Sequence, residues 1–194
     1  MEHENLLNAL PAELKLLFVI AFHVGCRRGE LLRLRWPQVN LSGREIRLYQ
    51  GETKNDEGRT LPIYGDMLPW FELAHTEHFE KYPDCEWVFH RDGRRIVDFR
   101  GAWAEACDRS GVPALHFHDL RRTAVRNMER AGIPRSVAMK ISGHKTESVY
   151  RRYAIVSQRD LRDAAAKMDE FFKGTITKTI TVPTLVGEPR KLSH

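Results

Sequence analysis

The sequence is poor in the residues that would announce several large protein classes. Its 194 residues hold 3 cysteines. Cys26, Cys85 and Cys107 lie far apart and form no CxxC pair, which argues against a disulfide framework or a zinc ribbon and fits a reducing cytoplasm. Long apolar runs are missing too. The longest, Leu16 to Phe22, is far too short to span a bilayer, and Met1 to Leu10 carries Glu2 and Glu4 with no apolar core of signal-peptide length. The expectation is a protein neither exported nor embedded in a membrane. No repeat, low-complexity tract or Gly/Ser linker divides the chain, and its length suits one well-packed domain. Lysine is scarce beside arginine: of 31 basic residues 22 are Arg and 9 are Lys.

What is present begins with charge. A net charge of +5 and a pI near 9.2 favour a polyanionic partner, and the planar fork of arginine matches phosphate oxygens. Charge alone fits a merely basic surface equally well.

The chain reads as mainly helical with a small sheet. Asn5 to Leu10 forms a short helical turn, and Pro11 opens a longer helix that buries Leu14, Leu17, Phe18, Ala21 and Phe22 and stops at Gly25. GCRRGELLRLRW restarts a helix that turns Leu31, Leu32 and Leu34 inward and ends at Pro37, leaving Arg27 in the turn between two helices, where Glu30 can buttress it or favour the helix start. From Arg44 the period becomes two. Glu45 to Leu48 and Arg59 to Tyr64 read as paired strands around the turn signal Asn55 to Gly58, with Lys54 at or near the hairpin tip. Asp66 caps a helix to about Tyr82; its His75 and His78, with no third ligand nearby, read as a solvated face rather than a metal site. Trp87 to Phe89 reads as a third strand before a turn at Asp92-Gly93, and Asp98 caps a helix carrying Trp103, Ala106 and Cys107. The fold class is therefore α+β, mainly α-helical with a small three-stranded antiparallel sheet.

The chemistry concentrates in His118 to Tyr153. His118 and Arg121 are i, i+3 in a helical pattern, Gly132 caps that helix, and Pro134 opens the next. Ser142-Gly143-His144 ends the second helix, and Tyr153 follows on a third. An arginine and two histidines can hold the non-bridging oxygens of a phosphate while a tyrosine hydroxyl attacks its phosphorus. Such a site needs no metal and no cofactor. Beyond Tyr153, a Ser157–Asp160 capping box opens a helix with Leu161, Ala164, Ala165, Met168 and Phe172 on one face. Thr175 to Val182 alternates like a strand lacking a hairpin partner.

The order GCRRGE, TKN, HDLRR, SGH and YRRY resembles the tyrosine recombinases, the phage-integrase family of DNA strand-exchange enzymes. Residue by residue, Arg27 matches the first catalytic arginine, Lys54 the hairpin lysine, His118 and Arg121 the HxxR pair, His144 the second histidine and Tyr153 the nucleophile. Tyr150 is a rival nucleophile at the wrong distance from His144. The resemblance covers about Asn5 to Phe172 and implies the tyrosine recombinase (DNA breaking-rejoining) catalytic-domain fold over residues 1–173. Because the alternating segment lacks a partner strand and an unpaired apolar edge costs solubility, the tail, 174–194, is expected to dock as a strand on a neighbouring protomer. The resemblance covers none of that tail. It also implies double-stranded DNA as partner, self-association on DNA as a tetramer with a monomer when free, and nucleoid association in the cytoplasm. The implied mechanism uses Arg27, Arg121 and His144 to hold the scissile phosphate while Tyr153 makes a 3′-phosphotyrosyl bond. His118 serves as proton acceptor or phosphate ligand, and Lys54 as general acid. Family members usually carry an amino-terminal helical domain that grips DNA from the opposite side, and this chain begins where the catalytic domain would begin, so weak, largely electrostatic DNA affinity is expected. Three rivals remain: a type IB topoisomerase with a similar Arg, Lys, His and Tyr set, a non-catalytic DNA-binding module, and a metal-dependent phosphohydrolase built on His118-Asp119.

Overall fold

The computed structural model describes residues 2–51 and 58–175. Residues up to Ile155 make one compact unit and those from Val156 a second.

The first unit opens with α1 (Glu2–Ala9) and α2 (Ala12–Val24), with Pro11 at the N-cap of α2, outside the hydrogen bonds that a proline would break. Gly25 ends α2 in the left-handed region at φ 68, and a Cβ there would stand 3.1 Å from the Ala124 Cβ, so the position needs glycine twice over. A single helical turn follows, α3 (Arg28–Leu31), and then a 3₁₀ turn over Trp36–Gln38. The sequence pattern runs this helix on to Pro37, whereas the chain leaves it after Leu31. Leu31, Leu32 and Leu34 are all buried although the helix stops at Leu31, and Arg35 after them is extended, at φ −117 and ψ 150. Pro37 sits inside the 3₁₀ turn.

The antiparallel sheet has the order β1 (Val39–Asn40), β2 (Glu45–Leu48), β3 (Arg59–Pro62), with Ile46 opposite Leu61, both buried. The hairpin tip, and Lys54 with it, lies outside the described residues. The third strand of this sheet is thus Val39–Asn40. Trp87 makes only an isolated bridge to Arg35, and the Val88 N–H donates to the Leu34 carbonyl while Val88 and Phe89 go into the core. A separate two-stranded hairpin, β4 (His90–Arg91) and β5 (Arg94–Arg95), turns at Asp92 and Gly93, both at positive φ.

Between these lies α4 (Met67–Lys81). Asp66 makes no capping hydrogen bond to it and pairs instead with His23 at 2.5 Å. Next come α5 (Arg100–Arg109), α6 (Asp119–Arg130), α7 (Arg135–Ser142) and α8 (Glu147–Arg151). The expected one-sided stripe on α2 is too narrow a description: Leu16, Val19, Ile20 and Val24 are buried as well, and Phe22 is only half-buried, because both α4 and α6 pack on this helix. In the second unit α9 (Gln158–Thr175) starts from the Ser157–Asp160 capping box, in which the Ser157 N–H and hydroxyl both donate to Asp160 Oδ2 at 2.7 Å. Leu161, Met168, Phe171 and Phe172 stand exposed along it. Thr175 closes α9, and the strand expected onward from it falls outside the described residues.

Candidate active site

Five of the six expected site residues meet in the first unit, carried by four elements. Arg27 is the N-cap of α3, and its extended backbone (φ −73, ψ 145) turns the side chain back over the helix start. Glu30, three residues on, accepts from the Arg27 backbone N–H at 2.9 Å and from Nη1 at 3.0 Å, while Arg27 Nη2 donates to the Gly143 carbonyl at 3.1 Å. Of the two roles open to Glu30, the buttress is realised. Burial would raise its carboxyl, but hydrogen bonds and charge from Arg59, then Arg27, hold it below the usual carboxylate range.

Arg121 lies on the first turn of α6, buried at 2% exposure. Its Nη1 donates to the carbonyls of Gly25, at 2.6 Å, and Ser142. Burial, then the charge of Arg27, pull its pKa down to about 10, and Nη2 has no hydrogen-bond partner among the described residues. A buried guanidinium N–H without an acceptor is costly unless an anion arrives to accept its hydrogen bond.

His144 follows the left-handed Gly143 (φ 70) that ends α7. The Ser142 hydroxyl donates to the Ala138 carbonyl at 2.7 Å, so at the 2.8 Å contact with His144 Nδ1 it can only accept. Neutral His144 therefore carries its proton on Nδ1 and presents a bare Nε2, buried and without a partner among the described residues. Burial first, then the charges of Arg121 and Arg27, push its pKa down to about 3. A phosphate in front of it would offset the positive charges and favour the protonated, donating form.

Tyr153 is not on the third helix as expected: α8 ends at Arg151, and the tyrosine sits in the following turn, its N–H bonded to the Tyr150 carbonyl at 2.8 Å. Leaving the helix is what swings the ring toward α6. The phenol oxygen is 3.0 Å from His118 Nε2, the ring centroid is 4.8 Å from that of His144, and the Arg121 guanidinium carbon is 5.7 Å from the ring. His118 is the N-cap of α6; burial, then the positive charge of Arg121, lower its pKa, so the neutral ring can accept the phenolic proton. Tyr150 is fully buried and its hydroxyl donates to Glu129 at 2.9 Å; burial and that carboxylate raise its pKa. A phenol so placed is a poor nucleophile.

The sequence reading missed Arg59, whose guanidinium joins the cluster through Glu30. A signal was there: alternation from Leu61 and Ile63, both buried, puts Arg59 on the inward face of β3. His78 also departs from expectation. It is 3% exposed rather than solvated, and the His78, Cys85 and His90 ligand atoms lie within 4.8 Å of one another. Their nitrogens are already used. Gly93 N–H donates to His90 Nδ1 (3.2 Å), His90 Nε2 meets His78 Nδ1 (2.8 Å), and His78 Nε2 meets the Cys85 carbonyl (2.6 Å), one continuous donor-to-acceptor chain that fixes both tautomers. Cavities of about 390 and 750 Å³ flank α4 on this side and share no residue with the five-residue cluster.

Comparison with known proteins gives a consistent picture. A family model described as Phage integrase family matches residues 1–159. The integrase of Salmonella phage P22 is 24% identical over 185 residues, covering 88% of this chain and 46% of its own length; the chain thus spans about half of that relative. The crystal structure of XerA recombinase superposes with a TM-score of 0.74 at 19% identity, covering 86% of this chain and 61% of that one. A lambda integrase tetramer bound to a Holliday junction gives 0.58 at 18% identity, with 79% and 46% covered. At such identities the solved structures show the fold, a recombinase catalytic-domain fold, mainly helical with a small antiparallel sheet. No helix among the described residues is long and apolar enough to cross a membrane.

Proposed function

The chain belongs to the phage integrase family, and from that premise we propose that residues 1–173 form the catalytic domain of a site-specific tyrosine recombinase acting on double-stranded DNA. The observation that carries the reading is the Tyr153 hydroxyl, 3.0 Å from His118 Nε2 and beside two buried nitrogens, Arg121 Nη2 and His144 Nε2, that lack partners among the described residues. Arg27 and Arg121 hold the non-bridging oxygens of the scissile phosphate and neutralise the charge that grows on them. Tyr153 passes its proton to His118 and attacks phosphorus in line. A P–O bond to tyrosine forms as the bond to the 5′-oxygen breaks, Lys54 protonates the departing oxygen, and a 3′-phosphotyrosyl link remains. One phosphoester replaces another, so the 5′-hydroxyl of a partner strand can reverse the step without ATP.

The working assembly in this reading is a tetramer on DNA, with the chain a monomer when free, and residues 174–194 dock as a strand on the neighbouring protomer. The compartment is the cytoplasm, at the nucleoid. A double-stranded substrate nicked next to the cleavage position, incubated in EDTA, tests the chemistry. Wild type and Tyr150→Phe should accumulate a covalent DNA adduct, whereas Tyr153→Phe should form none and still bind DNA within a few-fold, because only the nucleophilic oxygen is gone. An adduct that survives in Tyr153→Phe and vanishes in Tyr150→Phe would overturn the assignment.

A further inference from the structure

Three consecutive carbonyls at the end of α7 each hold a different guanidinium. Ile141 accepts from Arg59 Nε at 3.1 Å, Ser142 from Arg121 Nη1, and Gly143 from Arg27 Nη2 at 3.1 Å. The last carbonyls of a helix have no intrahelical partner and carry its negative dipole end, so cations suit them. The three arginines come from three separate elements, β3, α6 and the turn before α3. The next residue along is His144. Arg121 and Arg27 have work to do on a phosphate; Arg59 has none.

We propose that Arg59 is a positioning residue for strand cleavage, acting on Arg27 through Glu30 and on His144 through residues 141–143. The inference rests on the recombinase reading above. Arg59 is 6% exposed and grips the Glu30 carboxylate with both terminal nitrogens, Nη2 to Oε2 at 2.7 Å and Nη1 to Oε1 at 3.2 Å. The same two oxygens take Arg27, Oε2 its backbone N–H and Oε1 its Nη1. Each carboxylate oxygen thus accepts one bond from either arginine, and the angle of Arg27 is set by a carboxylate that Arg59 holds still. Arg59 also closes on Gly143, where a Cβ would stand 2.8 Å from its guanidinium carbon. The positive φ at Gly143 and the close approach of Arg59 explain together why the residue before His144 is glycine. Arg59 also opens β3, paired with Leu48 of β2, so the same side chain ties this strand pair to the cluster.

The test is single-turnover adduct formation on the nicked substrate, at saturating DNA, for wild type, Arg59→Ala and Arg59→Lys. Arg59→Ala should be slowed by about 10²-fold, the scale of a roughly 1 Å misplacement, with its DNA dissociation constant within about three-fold because no phosphate contact is lost. Arg59→Lys keeps a charge on Glu30 but cannot bridge both oxygens and the Ile141 carbonyl, so it should recover only part of the rate; it decides the matter if the alanine variant does not fold. A chemical readout separates positioning from general damage. Replacing a non-bridging oxygen by methyl makes the phosphate neutral and removes the charge that Arg27 must meet, so on that methylphosphonate the gap between Arg59→Lys and wild type should close to within a few-fold. Wild-type rates in Arg59→Lys, or a defect that the methylphosphonate leaves undiminished, would overturn the proposal. No adduct from wild type itself would remove the recombinase reading, and this inference with it.

Discussion

A departing 5′-alkoxide is a strong base, so breaking its bond to phosphorus calls for a proton from a positioned acid. Lysine, with an ordinary pKa of about 10.4, is protonated at neutral pH and suits the task. Lys54→Ala should therefore cleave ordinary DNA slowly yet recover most of its rate on a 5′-bridging phosphorothiolate, whose thiolate leaving group needs no proton. Arg121→Ala, which lacks charge stabilisation instead, should not recover in that way. Rescue of both variants, or of neither, would return Lys54 to a solvated charge or a phosphate contact. His144 gives the residue scale a second test, through pH. The folded imidazole stays neutral down to about 3, whereas an unfolded one takes a proton near about 6.5. Below that value the unfolded state binds more protons, so the stability is complete above about pH 6.5 and is lost as pH falls. At pH 5 this group alone should cost on the order of 2 kcal/mol relative to pH 8. His78, His90 and His118, whose pKa values are also lowered, act in the same direction. Urea unfolding between pH 8 and 5 measures the slope, which His144→Gln should flatten; an unchanged slope would show that His144 is not held neutral.

Among elements, the end of α7 is held by three guanidinium groups. Gly143→Ala puts a side chain at φ 70 and within 2.8 Å of Arg59, so thermal unfolding should show a loss of about 1–3 kcal/mol. Adduct formation should slow with it. A variant as stable and as fast as wild type would mean that Arg59 yields freely. The helices that carry the cluster were legible because their punctuation is local: Gly132 with Pro134 separates α6 from α7, and Gly143 ends α7. What stayed hidden depends on distant partners. Nothing near Val39 marks it as a strand, since its pairing with Ile46 is decided across a turn. The His78 ring is buried by Trp36 and by the His90 hairpin, residues far from it in sequence. Tyr153 stands out in sequence as the proposed nucleophile, but its place beyond α8, beside His118, is visible only in the fold. Glu30 shows the same limit: its neighbours reveal a salt bridge with Arg27, and only the fold reveals that Arg59 shares it.

For the whole molecule, the proposed assembly on paired sites can be tested through the tail. If the tail docks on a neighbour, a chain ending at Thr175 should cleave a single nicked site at the wild-type rate and fail to hold two sites together, as read by gel shift of paired-site complexes. Undiminished pairing would remove the tail from assembly. The arginine cluster carries a further consequence, one of mass balance rather than of rate. Arg27 and Arg59 share a single carboxylate, and Arg121 leans on carbonyls with one nitrogen unmet. Among the described residues the cluster thus holds more positive charge than Glu30 neutralises, and in the proposed reading a phosphodiester would supply what is missing. If that reading holds, binding adds directly to folding free energy, so the DNA-free chain should be the less durable form, and a preparation stripped of nucleic acid the one that proteases and heat find first.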